Sequence, residues 1–130
     1  MKKILFLSAV LAFASCKKEE KATMDNSQIA TEESASVATP EELGKSIFEG
    51  KGNCVSCHQI DQKVIGPSIQ EIAKIYKSKN GDITTFLKGN ADPIVDPSQF
   101  AVMKTNFSVT QAMTEEELKA IETYIYSNLK

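Results

Sequence analysis

The stretch Cys54-Val55-Ser56-Cys57-His58 decides how the rest of this 130-residue chain is read. Two thiols three positions apart, followed at once by an imidazole, form the spacing that attaches a c-type haem. Each thiol can add across one haem vinyl group, giving two thioether bonds. Two intervening residues let both sulfurs reach neighbouring pyrrole edges, and the His that follows turns its ring under the iron. Neutral imidazole is a good ligand for that metal. Three other readings compete for the same residues. A Cys-x-x-Cys redox pair wants a βαβ context. A zinc site wants about four ligands, and the whole chain holds three Cys and one His. A histidine satisfied by core hydrogen bonds would leave the two thiols without a role. Haem attachment accounts for all five positions.

Working outward, the flanking segments carry helical periodicity and no convincing strand alternation. Thr39-Pro40-Glu41-Glu42 combines a cap, a Pro in the first turn and a Glu three residues after Thr39, which starts a helix. Leu43, Ile47 and Phe48 share its inner face, and Gly50-Lys51-Gly52 stops it. Ser68 with Glu71 predicts a second capping box, followed by Ile69, Ile72, Ala73 and Tyr76 at amphipathic spacing and a stop at Asn80-Gly81. Asp82 opens a short third helix with Ile83, Phe86 and Leu87, ended by Gly89-Asn90. Thr114 with Glu117 caps a last helix carrying Leu118, Ile121 and Ile125. Residues 90–113 hold Pro93 and Pro97 and are expected as ordered loop. The expected class is all-α, about four short helices. A domain of residues 40–130 is small enough that apolar burial roughly cancels ordering entropy, so a bound haem is expected to supply core volume.

Residues 1–15 form a basic start, Lys2-Lys3, then an apolar run from Ile4 to Ala14. That is the organisation of a secretion signal. Phe13-Ala14-Ser15-Cys16 resembles a bacterial lipoprotein box, which implies cleavage before Cys16 and a lipid on its sulfur. The Lys17-Lys18-Glu19-Glu20 run reads either as a charged tag of surface lipoproteins or as a solvated charge run. Residues 16–39 are polar, with Met24, Ile29 and Val37 as the large apolar residues, and read as a flexible linker. Its root-mean-square reach is about 25–30 Å.

Charge excludes some functions. Fifteen Lys and no Arg face seventeen acids, a net −2. Loss of residues 1–15 would remove Lys2 and Lys3 and bring the charge to −4. A nucleic-acid binder would show a clustered basic face, and none is expected here. No apolar run reaches the length of a membrane-spanning helix.

An all-α domain with one such thiol–thiol–imidazole motif resembles the class I cytochrome c family, in its small monohaem bacterial form, over residues 40–130. The resemblance implies a haem c joined to Cys54 and Cys57, with His58 as the first iron ligand. It implies that the Pro67 carbonyl accepts the Nδ1 hydrogen of His58. Gly44 and Phe48 match a small-then-aromatic contact with the last helix, with Tyr124, or else Ile121, as partner. The family's second ligand is a Met before the last helix. Met103 and Met113 are the candidates, and the stretch Phe100–Asn106 resembles a ligand loop, which favours Met103. The chain has no Trp, and no Pro flanks Met103, so the resemblance names no partners for the haem carboxylates.

The expected function is a one-electron carrier outside the cytoplasm, facing the periplasm or the cell surface, and tethered to a membrane through Cys16. It is expected to be a monomer, not an enzyme, meeting redox partner proteins transiently. The net negative charge favours partners with a basic docking patch. The competing functions are a five-coordinate haem sensor or enzyme, and a thiol oxidoreductase using Cys54 and Cys57.

Overall fold

The computed structural model describes residues 38–130. The expected signal segment, Cys16 and the linker up to residue 37 lie outside the described residues. Six α-helical segments follow one another: α1 (Pro40–Glu49), α2 (Ile69–Lys79), α3 (Ile83–Leu87), α4 (Phe100–Met103), α5 (Phe107–Thr110) and α6 (Glu115–Ser127). Short 3₁₀ turns lie at Cys54–Ser56, Pro97–Gln99 and Lys104–Asn106. Among the described residues there is no strand, only an isolated bridge between His58 and Lys63. The all-α expectation holds.

Both long end helices begin as their sequences dictate. Thr39 Oγ1 accepts the Glu42 amide hydrogen at 3.2 Å, and the Thr39 amide donates to the Glu42 carboxylate at 2.8 Å. Thr39 is therefore part of the folded domain and not the last residue of the linker. Thr114 and Glu117 repeat the reciprocal pair at 3.2 and 3.0 Å. At α2 only half of the predicted box forms. Ser68 Oγ accepts the Glu71 amide hydrogen at 3.1 Å, with no bond returned by the Glu71 side chain. Asn80 then ends α2 in the left-handed conformation at φ 49°, which Asn tolerates better than most residues.

The apolar stripes meet in one core: Ile47 and Phe48 of α1, Ile69, Ala73 and Tyr76 of α2, Ile83 and Leu87 of α3, and Leu118, Ile121, Tyr124 and Ile125 of α6. Helices α1 and α6 cross closely, and Gly44 is the reason they can. A Cβ at Gly44 would stand 1.9 Å from the Ala120 carbonyl oxygen and 2.9 Å from Tyr124 Cβ. One turn along, the Phe48 and Tyr124 rings tilt at 60° with centroids 5.4 Å apart, so Tyr124 is the aromatic partner. Glu122 is buried on the same helix, and its carboxylate is paired with Lys119.

The interval 90–113, expected as loop, is mostly helical turns from Pro97 onward. Phe100, Met103, Phe107 and Thr110 recur at i, i+3, i+7 and i+10, and this stripe turns inward. Phe100 and Phe107 pack on each other (5.9 Å between centroids) and on Phe86 of α3, at 6.2 and 5.5 Å. Thr110 Oγ1 donates to the Leu87 carbonyl at 2.6 Å. The short pieces hide the period, because Pro97 and the 3₁₀ turns break the run into single turns.

Candidate functional site

After α1 the chain reverses. The Gly52 amide donates to the Ile47 carbonyl at 2.8 Å, and Asn53 takes the left-handed conformation at φ 51°. The 3₁₀ turn Cys54–Ser56 starts there, and the His58 amide closes onto the Cys54 carbonyl at 3.0 Å. This winding places both thiols and the imidazole on one wall of a cavity of about 230 Å³. Neither Cys54 nor Cys57 is in a disulfide.

His58 is held from behind. Its Nδ1 lies 2.8 Å from the Pro67 carbonyl oxygen. A carbonyl only accepts, so Nδ1 carries the hydrogen, and Nε2 keeps its lone pair free for a metal. Gly66 makes this possible. A Cβ there would sit 2.5 Å from His58 Cε1 and 2.8 Å from Nδ1, so any other residue would push the ring out of place. The Gly66 amide also donates to the Cys57 carbonyl at 2.9 Å, which folds the intervening loop back onto the motif.

Met103, the last residue of α4 and not part of a loop, lines the same cavity. Met113 packs against the core and does not line the cavity. The floor is the hydrophobic core itself, including Phe48, Leu87, Ile121 and Ile125. Asp96 is the only carboxylate in the lining. Cys54, Cys57, His58, Pro67 and Met103, all singled out in the sequence, thus converge on one space. Sequence reasoning missed the packing role of Gly66 against the imidazole, although a Gly directly before Pro67 was the available signal. It also missed Asp96, just before the Pro97–Gln99 turn, and Asn106, in the Lys104–Asn106 turn, which both line the cavity and carry no pattern of their own.

Burial disfavours the thiolate at Cys54. Burial is the main cause that pushes the Cys54 thiol up to about 11, above its ordinary 9.0, with the neighbouring Cys57 adding to the rise. A thiol oxidoreductase needs the opposite shift. Burial likewise holds the Tyr76 phenol neutral at the cavity wall. Among the described residues no three His, Cys, Asp or Glu side chains converge as a metal site, so the zinc reading lacks its ligand set. The donors that do converge are two free thiols, one imidazole nitrogen and one thioether around an apolar space. That set fits a flat apolar macrocycle bonded at its edge and carrying a metal at its centre.

The family model that describes cytochrome c matches residues 41–128. Cytochrome c-551 of Pseudomonas denitrificans is 29% identical over 89 residues, covering 63% of this chain and 93% of that protein. Cytochrome c-552 of Nitrosomonas europaea is 46% identical over 39 residues, 30% of this chain and 37% of its own length. Cytochrome c2 of Rubrivivax gelatinosus is 50% identical over 44 residues, 34% of this chain and 46% of its own. The chain thus spans less than half the length of the last two relatives.

Proposed function

Since the chain belongs to the cytochrome c family, which implies a covalently attached haem c at Cys54 and Cys57, we propose that it is a one-electron carrier working outside the cytoplasm, with His58 and Met103 as iron ligands. When bound, the haem supplies an iron that cycles between ferric and ferrous. Everything else is done by the chain. Cys54 and Cys57 fasten the group so that it cannot be lost to dilute surroundings. His58 would offer Nε2, with its ring and tautomer fixed by the Pro67 carbonyl. Met103 would offer its sulfur from the same cavity, a ligand that raises the reduction potential. The apolar floor keeps water from the metal and favours the state with less net charge.

The observation that carries this reading is that Met103 shares a cavity with His58, while Met113 lies outside it. If His58 and Met103 both held the iron, no position would be left for a substrate, which would separate a carrier from a sensor or enzyme with an open site. Redox encounters of this kind use small interfaces. The tether is the second half of the proposal: a lipid on Cys16 would restrict the search to partners near one membrane. Among the described residues no helix is long and apolar enough to cross a bilayer.

Voltammetry of the exported holoprotein tests the carrier reading. A single reversible one-electron wave, unchanged by oxygen or peroxide, is expected. Catalytic current with either would contradict it. Labelled fatty acid should enter the wild-type protein and not Cys16→Ala; equal labelling would remove the tether.

A further inference from the structure

The segment that carries Met103 packs on the core through the partly buried Ile94, Val95 and Met103 and through Phe100 on Phe86. Two polar ties join it to the chain around His58 as well. Before Met103 stands Asp96, whose side chain is 18% exposed and lines the cavity. One carboxylate oxygen accepts from Ser98 Oγ at 2.5 Å and the other from Lys63 Nζ at 2.9 Å. The Asp96 carbonyl accepts the Gln99 amide hydrogen at 3.2 Å, which starts the turn leading into α4. After Met103, Asn106 Nδ2 donates to the Gly52 carbonyl at 3.1 Å. Lys63 sits on the loop that leaves His58 and is bridged to His58 through the backbone.

The geometry points to Asp96 as a positioning residue that, with Lys63, clasps the His58 loop to the Met103 segment and keeps the sulfur facing the imidazole. This rests on the reading of His58 and Met103 as iron ligands. Asp96 touches neither of them; it acts through the backbone on each side. An exposed ion pair is weak on its own. Here Ser98 already fixes the carboxylate, so less side-chain freedom is lost when Lys63 engages.

The test uses ferric holoprotein titrated with imidazole, which competes for the position that Met103 holds. Lys63→Met, Asp96→Asn and the double variant are compared. Lys63→Met and Asp96→Asn remove charges of opposite sign, so a field effect would move them in opposite directions. Loss of the clasp moves them the same way: imidazole should bind about two- to five-fold tighter to each. The double variant should go no further than the singles, the signature of one shared interaction. Unchanged affinities or opposite shifts, beside a wild-type spectrum that shows sulfur ligation, would overturn this inference alone. A wild-type spectrum without sulfur ligation would overturn the ligand reading and the clasp together. Should Asp96→Asn fail to fold, Lys63→Met decides the matter, because that side chain is 56% exposed.

Discussion

The α1–α6 crossing and the Met103 segment are held by different means. At the crossing, two capping boxes, a glycine under a carbonyl and a pair of tilted rings define the geometry from the chain alone. In the Met103 segment, single helical turns lean on Phe86, on the core through Ile94 and Val95, and on the ties at Asp96 and Asn106. The first region is scaffold, its geometry set by contacts within the chain. The second faces a cavity that the core itself lines. The difference shows how a small domain divides its work: the end helices are specified by local patterns, and the Met103 segment by partners distant in the sequence.

Removing the attachment should have the largest effect. Without haem the apolar lining of the cavity loses its packing partner, and a native domain holds only about 5–15 kcal/mol of stability in all. Cys54→Ala with Cys57→Ala should therefore give a chain without covalent haem and without a cooperative unfolding transition by circular dichroism. A cooperative, fully helical product would show that the scaffold needs no cofactor.

The crossing can be broken directly. Gly44→Ala sets a methyl group against a backbone carbonyl that cannot move without shifting α6. We expect a loss of about 3 kcal/mol in denaturant unfolding, with the haem spectrum retained. A loss below about 1 kcal/mol would mean that the two helices adjust more easily than their contacts indicate.

On the cavity side, Met103→Ala should leave covalent haem and helicity in place while lowering the potential by on the order of 100 mV, within the ~0.8 V range that axial ligands span. Met113→Ala should change neither potential nor spectrum. The reverse pattern would move the ligand to the start of α6 and remove the contrast between the two regions.

The smallest expected effect is a pH dependence. Hydrogen bonds from Lys63 and then Ser98 hold the Asp96 carboxyl down at about 2, below its ordinary 3.8. A depressed carboxyl contributes stability that is complete above its ordinary value and fades as pH falls from about 4 to about 2. Asp96→Asn should flatten acid unfolding in that window and leave neutral-pH stability with little dependence on pH. An unchanged acid limb would mean that the pair is not formed in solution.

What the sequence revealed follows the same division. The caps at Thr39, Thr114 and Asp82, the stripes of α1, α2 and α6, and the attachment motif are local patterns, in which neighbours a few residues apart fix the outcome. The Pro67 carbonyl and the Gly44 crossing were legible only through family resemblance, because each depends on a partner many positions away. The interval 90–113 was misread as loop for a physical reason. Its turns are each too short to show a period, and Phe100 and Phe107 find Phe86 only in the folded chain. Asp96 and Asn106 carry no pattern at all; their partners, Lys63 and Gly52, lie far from them in the sequence.

The central claim is that one iron sits between His58 and Met103, and the optical spectrum of the exported holoprotein in its ferric and ferrous forms tests it most directly. The account predicts a low-spin iron with a sulfur-to-iron charge-transfer band that disappears in Met103→Ala and survives in Met113→Ala. A high-spin iron that binds carbon monoxide rapidly in the wild-type protein would contradict it.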